Sequence, residues 1–225
     1  FLIQILINII FFLKIDNISK LINIFDHPNN RKIHKFPVPL VGGTLIFLNL
    51  IYLFIFSFIF DFGAESFNKF SLIFGYTCFF FLGLFDDKYH IKALKKLFIS
   101  VLILIPVLYF EKNLTLTMLR FSFTNFELNL GLFDTFITIL FFLLFINAFN
   151  MFDGINCQNG IYSIVLTITL LFWSKNNIFL FVLLFTLIFF NYLNFKSKLF
   201  LGDSGSLSLG FLFSYFFVTN YNTNL

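Results

Sequence analysis

Five of the chain's eleven acidic residues stand at or beside the ends of apolar runs, and the first of them is Asp26. Asp86 and Asp87 are adjacent in GLFDDKYH, Asp153 lies in NMFDGIN, and Asp203 lies in LGDSGS. Two like charges beside an apolar boundary are costly unless a cation or lysines offset them. Adjacent residues on a helix point about 100° apart, so one carboxylate of the pair can bind a metal while the other faces a substrate proton.

A polar stripe leads up to Asp153. Asn147, Asn150 and Asp153 recur at every third position, and Asn156 follows on the next turn. Amides and a carboxylate at one helix end suit hydrogen bonds to a sugar, a base or metal-bound water. A helix C-cap explains the glycine after Asp153 but not the stripe.

Small residues surround Asp203 in FLGDSGSLSLG. Taken alone, Asp203 can be the N-cap of the following helix. The glycines and serines on both sides instead predict open backbone N–H groups at a helix N-terminus, which suit a phosphate. Asp203 is then placed to hold the accompanying cation.

The loop DHPNNRKIHKFPVPLVGG carries positive charge between prolines. The prolines exclude a regular helix and favour extended or turn geometry. Arg31, Lys32 and His34 can dock a phosphate at the membrane surface, although a loop that only fixes the orientation of the chain is the simpler interpretation of these residues alone. Gly42 and Gly43 predict a close approach between helices.

These polar groups are set in a very apolar chain. Its residues are 59% hydrophobic and 12% charged, and its mean hydropathy is +0.93, which excludes an ordinary soluble domain. Apolar windows long enough to span a bilayer lie at about 38–60, 67–85, 92–110, 131–150, 157–174, 177–195 and 205–223, with residues 1–13 as the tail of one more. We therefore expect an all-α, polytopic integral membrane protein with about eight transmembrane helices, the first incomplete. Between them, residues 111–130 are expected to form an external loop with a short hairpin.

The basic residues predict how the chain sits in the membrane. One alternating set of loops holds eleven Lys and Arg residues, and the other holds only Lys69, Lys112, Arg120 and Lys175. The first set, which includes the acidic stretches, is therefore assigned to the cytoplasm. The net charge of +4 does not indicate nucleic-acid binding, because there is no solvated basic domain to hold a duplex.

Carboxylates from three loops on one side of a bilayer favour a magnesium and diphosphate site. Mg²⁺ takes one or two carboxylates together with phosphate oxygens, and phosphoryl transfer depends on positioning and charge neutralisation. The substrates indicated are an anionic lipid and a nucleotide. The alternative is a membrane transporter or carrier with acidic coupling sites, but such sites lie near the bilayer midplane on broken helices, whereas these acids fall at predicted helix ends.

The four stretches, in this order, resemble the polyprenyl-phosphate N-acetylhexosamine-1-phosphate transferase family, of the glycosyltransferase family 4 type. The matching residues are DHPNNRKIHKFPVPLVGG, GLFDDKYHIKALKK, NAFNMFDGIN and LGDSGS. The resemblance implies an enzyme that moves a sugar 1-phosphate, expected to be N-acetylglucosamine 1-phosphate, from a UDP-sugar to undecaprenyl or another polyprenyl phosphate. It further implies that UMP is released and a lipid-linked glycan, such as an O-antigen, is begun at the cytoplasmic face of the bacterial inner membrane.

The resemblance also implies roles for individual residues. Asp86 and Asp87 are expected to be catalytic, and Asp203 and Asp86 to hold Mg²⁺, with Mn²⁺ as an alternative. Asn150, Asp153 and Asn156 match the stretch that lines the nucleotide pocket. The full set of substrate-binding candidates is Arg31, Lys32, His34, Asn147, Asn150, Asp153 and Asn156.

Two departures from the family pattern stand out. Many relatives carry Asp where this chain has Asn156, which removes a charge, and the family's histidine-rich loop has no counterpart before Leu225. His27, His34 and His90 lie in other loops. We expect residues 1–225 to be one transmembrane transferase domain, truncated at both ends. The amino sugar, the polyprenol length and homodimerisation are left open.

Overall fold

A computed structural model describes residues 2–28, 35–59, 69–121, 126–173 and 178–223. Within these ranges the fold is almost entirely helical, which confirms the predicted class apart from two short sheets. The helices are α1 (Leu2–Leu13), α2 (Ile15–Ile22), α3 (Gly42–Ile59), α4 (Lys69–Tyr89), α5 (Ala93–Phe110), α6 (Asp134–Met151), α7 (Gln158–Trp173), α8 (Ile178–Phe195) and α9 (Gly202–Thr223). The strands are β1 (Phe25–Asp26), β2 (Val38–Pro39), β3 (Met118–Arg120) and β4 (Glu127–Asn129).

Each apolar window predicted from the sequence forms one helix, because runs of this length and composition bury their backbone polar groups most simply as helices. The sequence IDNISKLI adds a helix that was not predicted, α2. It is bent by 73° from α1 across a short break. Polar and apolar residues alternate along α2 with a helical period, as is typical of a helix at a membrane surface.

The predicted number of eight transmembrane helices is not confirmed. Among the described residues, four helices are long and apolar enough to cross a membrane: Phe70–Tyr89, Ala93–Phe110, Gly131–Met151 and Ile178–Phe195. The bent pair α1 and α2 brings the number to five if it forms one span, and the apolar parts of α3 and α7 are shorter. The chain is a multi-pass membrane protein, with fewer clear spans than its windows suggested.

Helix α9 lies at the centre of the bundle and packs against α3, α4, α6 and α7. Every residue from Ser204 to Phe216 is buried. Because its neighbours are protein rather than lipid, α9 carries serines whose hydroxyls bond within the helix: Ser208 donates to the Ser204 carbonyl at 2.7 Å and Ser214 to that of Gly210 at 2.7 Å. Helix α9 is long enough to span a membrane, and this polar content explains why it is less apolar than a lipid-facing helix.

Two glycines let neighbouring helices touch the first turn of α9. A Cβ atom on Gly83 of α4 would lie 2.2 Å from the carbonyl oxygen of Asp203, and one on Gly43 of α3 would lie 2.4 Å from the backbone nitrogen of Gly205. No larger side chain fits at such distances from backbone atoms. The close approach predicted from the glycines at the start of α3 is therefore confirmed.

Backbone hydrogen bonds tie the start of α3 to the segment before α9. The N–H groups of Gly42 and Gly43 donate to the carbonyls of Phe200 at 2.8 Å and Leu201 at 2.9 Å. The Phe200 N–H donates in turn to the Pro39 carbonyl at 2.9 Å, while β2, which contains Pro39, pairs antiparallel with β1. The extended geometry predicted from the prolines is thus confirmed at β2.

The opposite end of the bundle carries the predicted hairpin. Strands β3 and β4 pair antiparallel, and Arg120 Nε contacts Glu127 Oε1 across the hairpin at 2.7 Å. Nearby, the hydroxyls of Ser71 and Tyr215 both donate to Glu111 Oε2. The three residues come from α4, the end of α5 and α9, and all are buried, so this cluster joins three elements around one carboxylate.

Candidate active site

Asp86 and Asp87 lie near the end of α4 and point to different partners, as expected for neighbours on a helix. Asp86 is 4% exposed; its Oδ1 accepts the Ile91 N–H at 2.7 Å and its Oδ2 contacts Lys96 Nζ. Asp87 faces the first turn of α9 instead. The two carboxylates therefore have different partners: Asp86 contacts Lys96, whereas Asp87 contacts the backbone of α9.

Asp87 caps the N-terminus of α9 from another helix. Its Oδ1 accepts the Asp203 N–H at 2.8 Å and its Oδ2 accepts the Ser204 N–H at 3.0 Å. A carboxylate at this position is stabilised by unpaired N–H groups and by the helix dipole. Asp203 is therefore a residue of the first turn of α9 and not its N-cap, the alternative considered from the sequence. Of the N–H groups predicted to be open to a phosphate, that of Ser204 is taken by Asp87.

Lys96 connects α4 to α9 through two carboxylates. Its Nζ contacts Asp86 Oδ2 and lies 3.3 Å from Asp203 Oδ2. The Lys96 side chain is 14% exposed, so this cation is largely removed from water. The cost of placing acids at the end of an apolar helix is offset here by a lysine, which is one of the two means that the sequence suggested.

Asn150, near the end of α6, completes the group around Lys96. We assign its amide so that Nδ2 donates to Ser206 Oγ at 2.5 Å and to Asp203 Oδ1 at 3.0 Å, because the opposite orientation sets oxygen against oxygen. Its Oδ1 then accepts from Lys96 Nζ at 3.2 Å. Oxygens of Asp86, Asn150 and Asp203 thus surround one ammonium group, and we call these four residues the lysine cluster.

A cavity of about 570 Å³ opens next to the lysine cluster. Its polar lining includes Asp26, Asp87, Asp153, Asn156, Asn194 and Asp203. Asp203 therefore belongs to both the cavity and the lysine cluster. We call the end of the bundle that holds both the site end.

Burial changes the acidity of the carboxyls outside the membrane-spanning helices. Burial, followed by the charge of Asp87, raises the pKa of Asp153 to about 7. Burial, then the hydrogen bond with Asp86 and the charge of Asp87, raises the pKa of Asp203. Both groups hold protons more readily than an ordinary carboxyl, which indicates a site short of positive charge.

The structure brings together most of the predicted site residues. Asp86, Asn150 and Asp203 meet in the lysine cluster, while Asp87, Asp153 and Asn156 line the cavity. Asn156 also donates to Ser197 Oγ at 3.1 Å. Asn147 is not among the described residues that line the cavity, and its amide donates to the Leu143 carbonyl at 2.7 Å, one turn back in α6.

Three predicted residues cannot be located. Arg31, Lys32 and His34 lie outside the described residues. Their assignment to phosphate docking stays a prediction. The neighbouring Asp26, which precedes this loop, does line the cavity.

The arrangement suits a cation with few protein ligands. Within the described ranges, no three Asp, Glu, His or Cys residues are grouped so that they could hold a metal ion by themselves. Asp86, Asp203 and the Asn150 amide nevertheless present hard oxygen donors to one point, now taken by Lys96 Nζ. This donor set fits Mg²⁺, which keeps several waters and binds through one or two carboxylates plus phosphate oxygens.

Sequence reasoning missed Lys96 as a site residue, although a signal was present. Lys96 lies three residues after the start of α5 and Asp86 three residues before the end of α4. In an antiparallel helix pair joined by a short loop, such positions stand at the same level. Lys95, one residue earlier, is exposed, since neighbours on a helix face different directions.

Asn194 was also missed, and it organises the wall of the cavity. It is 4% exposed; its Oδ1 accepts the Cys157 N–H at 2.6 Å and its Nδ2 donates to the Leu199 carbonyl at 2.9 Å. One side chain thus joins the turn after α6 to the loop before α9. Its partner Cys157 is 37 residues away, a contact that no local pattern predicts.

Comparison with known proteins decides the family. The glycosyl transferase family 4 profile matches residues 69–220, well over half of the chain. The chain belongs to glycosyl transferase family 4. That match contains the whole lysine cluster, and it confirms the resemblance inferred from the four stretches.

Curated relatives of this family 4 chain carry closely similar names. It is 30% identical over 205 residues to the undecaprenyl-phosphate alpha-N-acetylglucosaminyl 1-phosphate transferase of Escherichia coli strain K12, over 86% of this chain and 54% of that protein. It is 27% identical over 197 residues to a probable undecaprenyl-phosphate N-acetylglucosaminyl 1-phosphate transferase of Bacillus subtilis strain 168, over 84% of this chain and 53% of that protein. The chain spans about half the length of the curated relatives it matches.

Proposed function

We propose that the protein transfers an N-acetylhexosamine 1-phosphate, with N-acetylglucosamine as the sugar, from a UDP-sugar to undecaprenyl or another polyprenyl phosphate. UMP is released, and the lipid-linked product begins a cell-surface glycan. The observation that carries the proposal is the lysine cluster beside a polar cavity at one end of a membrane bundle. The names of the relatives support the same class of reaction.

The proposed reaction exchanges one phosphorus–oxygen bond for another. An oxygen of the lipid phosphate attacks the phosphorus that bears the sugar, and the bond between that phosphorus and the bridging oxygen of the UDP diphosphate breaks. UMP leaves with the bridging oxygen and its electron pair. What the protein must supply is alignment of the two phosphates and neutralisation of their charge.

Asp86 and Asp87 form the catalytic pair in this proposal. Asp87 borders the cavity, and although both of its oxygens accept backbone N–H groups, each retains a further lone pair. It can therefore take a proton from the lipid phosphate. Asp86 lies behind it and holds Lys96 beside Asp203, which keeps positive charge next to the cavity.

Asp203 and Asp86, with the Asn150 amide oxygen, are the residues that would hold Mg²⁺, or Mn²⁺ in its place. When bound, the cation neutralises phosphate oxygens and makes the phosphorus more electrophilic. The protein's own part is to keep these three oxygens oriented. Ser206 helps because it fixes the Asn150 amide through the 2.5 Å hydrogen bond.

Asp153 and Asn156 are the proposed contacts for the nucleotide. They lie on the turn after α6 and line the same cavity as the start of α9. An amide offers both a donor and an acceptor to a base, so Asn156 can serve where an Asp is common in relatives. A protonated Asp153, favoured by its raised pKa, can also donate a hydrogen bond.

We further propose that the protein lies in the bacterial inner membrane with the site end in the cytoplasm. The support is the excess of Lys and Arg in the set of sequence loops that contains the acidic stretches, eleven against four. The acids at the site end lie at helix ends, which is less typical of a transporter than of an enzyme at the membrane surface.

The test is transfer of label from UDP-N-acetylglucosamine to an organic-extractable lipid, in membranes that contain the protein expressed from its own gene. We expect labelling that needs Mg²⁺, is abolished by EDTA and is lost in Asp86→Asn, Asp87→Asn and Asp203→Asn. Asp16→Asn on the exposed face of α2 is the matched control and should keep wild-type labelling. If a panel of other UDP-sugars also labels no lipid, the transferase proposal fails and a transporter becomes the better explanation.

A further inference from the structure

The lysine cluster raises a question of charge. Lys96 Nζ is surrounded by the Asp86 and Asp203 carboxylates and the Asn150 amide oxygen, and those same oxygens are the donors that fit Mg²⁺. The ammonium group and a bound divalent cation cannot share one position. The two must therefore be alternatives at this point of the site.

The carboxylates around Lys96 are more stable with a cation between them than without one. Asp86 is almost fully buried, and Asp87 lies next to it in the chain. Carboxylates this close to an apolar boundary repel one another strongly unless positive charge lies between them. With the position between them empty, Asp86 and Asp203 would be held together only by the hydrogen bond between their carboxyls, which would weaken the contact of α4 with α9.

We propose that Lys96 is a resident cation, which holds the site assembled when no metal is bound and gives up its position when the divalent cation enters with substrate. This inference rests on the proposed function, because it assumes the Mg²⁺ site described there. Lysine suits the role because its charge sits on a flexible four-carbon stem, which lets the ammonium move while its helix stays in place. Asn150 and Asp203 keep their orientation in both states, since Ser206 holds the amide.

Two consequences are measurable without any turnover. First, Lys96 competes with the metal, so removing its charge should strengthen metal binding in the absence of substrate. A like charge that close to an incoming cation weakens binding by about tenfold or more. Second, without Lys96 the metal should matter more for stability, because Lys96 is the cation that contacts both Asp86 and Asp203.

The first experiment measures Mn²⁺ binding to the full-length protein in detergent, without substrates, from the electron paramagnetic resonance signal of free Mn²⁺. Lys96→Met should bind Mn²⁺ about tenfold more tightly than wild type. Lys95→Met removes the same charge from the exposed neighbouring position and should bind as wild type does. Adding Asp203→Asn to Lys96→Met should abolish the gain, which assigns it to the lysine cluster.

The second experiment measures thermal unfolding in EDTA and in excess Mg²⁺. Wild type and Lys95→Met should have nearly the same midpoint in both, whereas Lys96→Met should unfold earlier in EDTA and recover in Mg²⁺. If Lys96→Met cannot be purified, Lys96→Gln provides the same comparison.

Equal or weaker Mn²⁺ binding by the Lys96 variants would overturn the inference, and so would a complete lack of Mn²⁺ binding by wild type and variants together. Neither result depends on turnover. The lipid-labelling assay on wild type therefore shows separately whether the proposed transferase function survives such a failure.

Discussion

The two ends of the helix bundle both bury a carboxylate among α4, α5 and α9, but they treat it differently. At the far end, Glu111 accepts hydrogen bonds from the hydroxyls of Ser71 and Tyr215, and all three side chains are enclosed by protein. At the site end, Asp86 and Asp203 both contact Lys96, whose side chain is long and flexible, and Asp203 also lines a cavity. The first arrangement suits a fixed joint between helices, and the second suits an exchange of ions.

The partners of a buried carboxylate determine how much it gains from a further ligand. A carboxylate satisfied by neutral hydroxyls from the protein gains little from any further ligand. A carboxylate that shares one lysine with a second carboxylate, beside a cavity, still gains from an added cation. Substitutions at the far end should therefore lower stability, and substitutions at the site end should lower activity.

The largest effect is expected for Asp203→Asn. It should reduce lipid labelling by about 100-fold or more, as is typical when a preorganised charge at a reaction centre is removed. Its yield and unfolding midpoint should stay at or above those of wild type, since burial already raises the pKa of this carboxyl. A fall in stability as large as the fall in activity would place Asp203 with Glu111 as a structural residue.

The next effect is expected for Gly83→Ala. The new Cβ would lie 2.2 Å from the Asp203 carbonyl oxygen, so α4 and α9 must move apart. We expect a loss of about 1–3 kcal/mol in the free energy of unfolding together with a loss of activity, because the same contact positions Asp87 and Asp203. Gly154→Ala is the control for stability, since a Cβ there has no neighbour within 4 Å and should change it by less than about 1 kcal/mol.

Glu111→Ala should have the opposite signature to Asp203→Asn. Removing the carboxylate takes an acceptor from two buried hydroxyls, which should cost about 2 kcal/mol of stability. Activity per folded molecule should not change, because Glu111 lies at the end of the bundle away from the cavity. Glu127→Ala, at an exposed ion pair in the hairpin, is the control and should cost less than about 1 kcal/mol. Loss of activity by folded Glu111→Ala would mean that the two ends are coupled.

The smallest effect is a change in the pH dependence of stability for Asp153→Asn. Because the pKa of Asp153 is raised to about 7 in the folded protein, the carboxyl favours the folded state below about pH 4, and that contribution is lost as the pH rises toward 7. Asparagine has no such transition. The unfolding midpoint of wild type in EDTA should therefore fall more between pH 5 and pH 8 than that of Asp153→Asn.

The control for this measurement is Asp134→Asn, in the first turn of α6. It should retain the wild-type pH slope. Equal slopes for wild type and Asp153→Asn would show that the Asp153 carboxyl does not take up its proton on folding.

The helices were predictable because hydrophobic length is a local property, and each window corresponds to one helix. Their relation to the bilayer was harder to predict, because hydropathy does not show whether a helix faces lipid or protein. The window at 205–223 belongs to α9, whose serines are buried against other helices. Helix α2 was missed because its eight residues are only partly apolar.

The sequence predicted which residues belong to the candidate site, but not which of them contact each other. The acids and amides at helix ends indicated Asp86, Asn150, Asp153 and Asp203, and these do gather at the site end. The role of Asp87 as a cap depends on N–H groups 116 and 117 residues away, which no spacing rule reaches. Contacts of that kind come from tertiary packing, and only the packed structure shows them.

The central position of α9 has a consequence for how the protein is made. Of the described helices, α9 leaves the ribosome last. It nevertheless supplies the N–H partners of Asp87 and the second carboxylate that contacts Lys96. The segment just before α9 supplies the carbonyls that accept the N–H groups at the start of α3. Until residues 200–206 have been synthesised, α3, α4 and α6 have a gap at their shared centre. Assembly in the membrane is therefore a late step of biogenesis, and a nascent chain that stops short of α9 has membrane helices but no site.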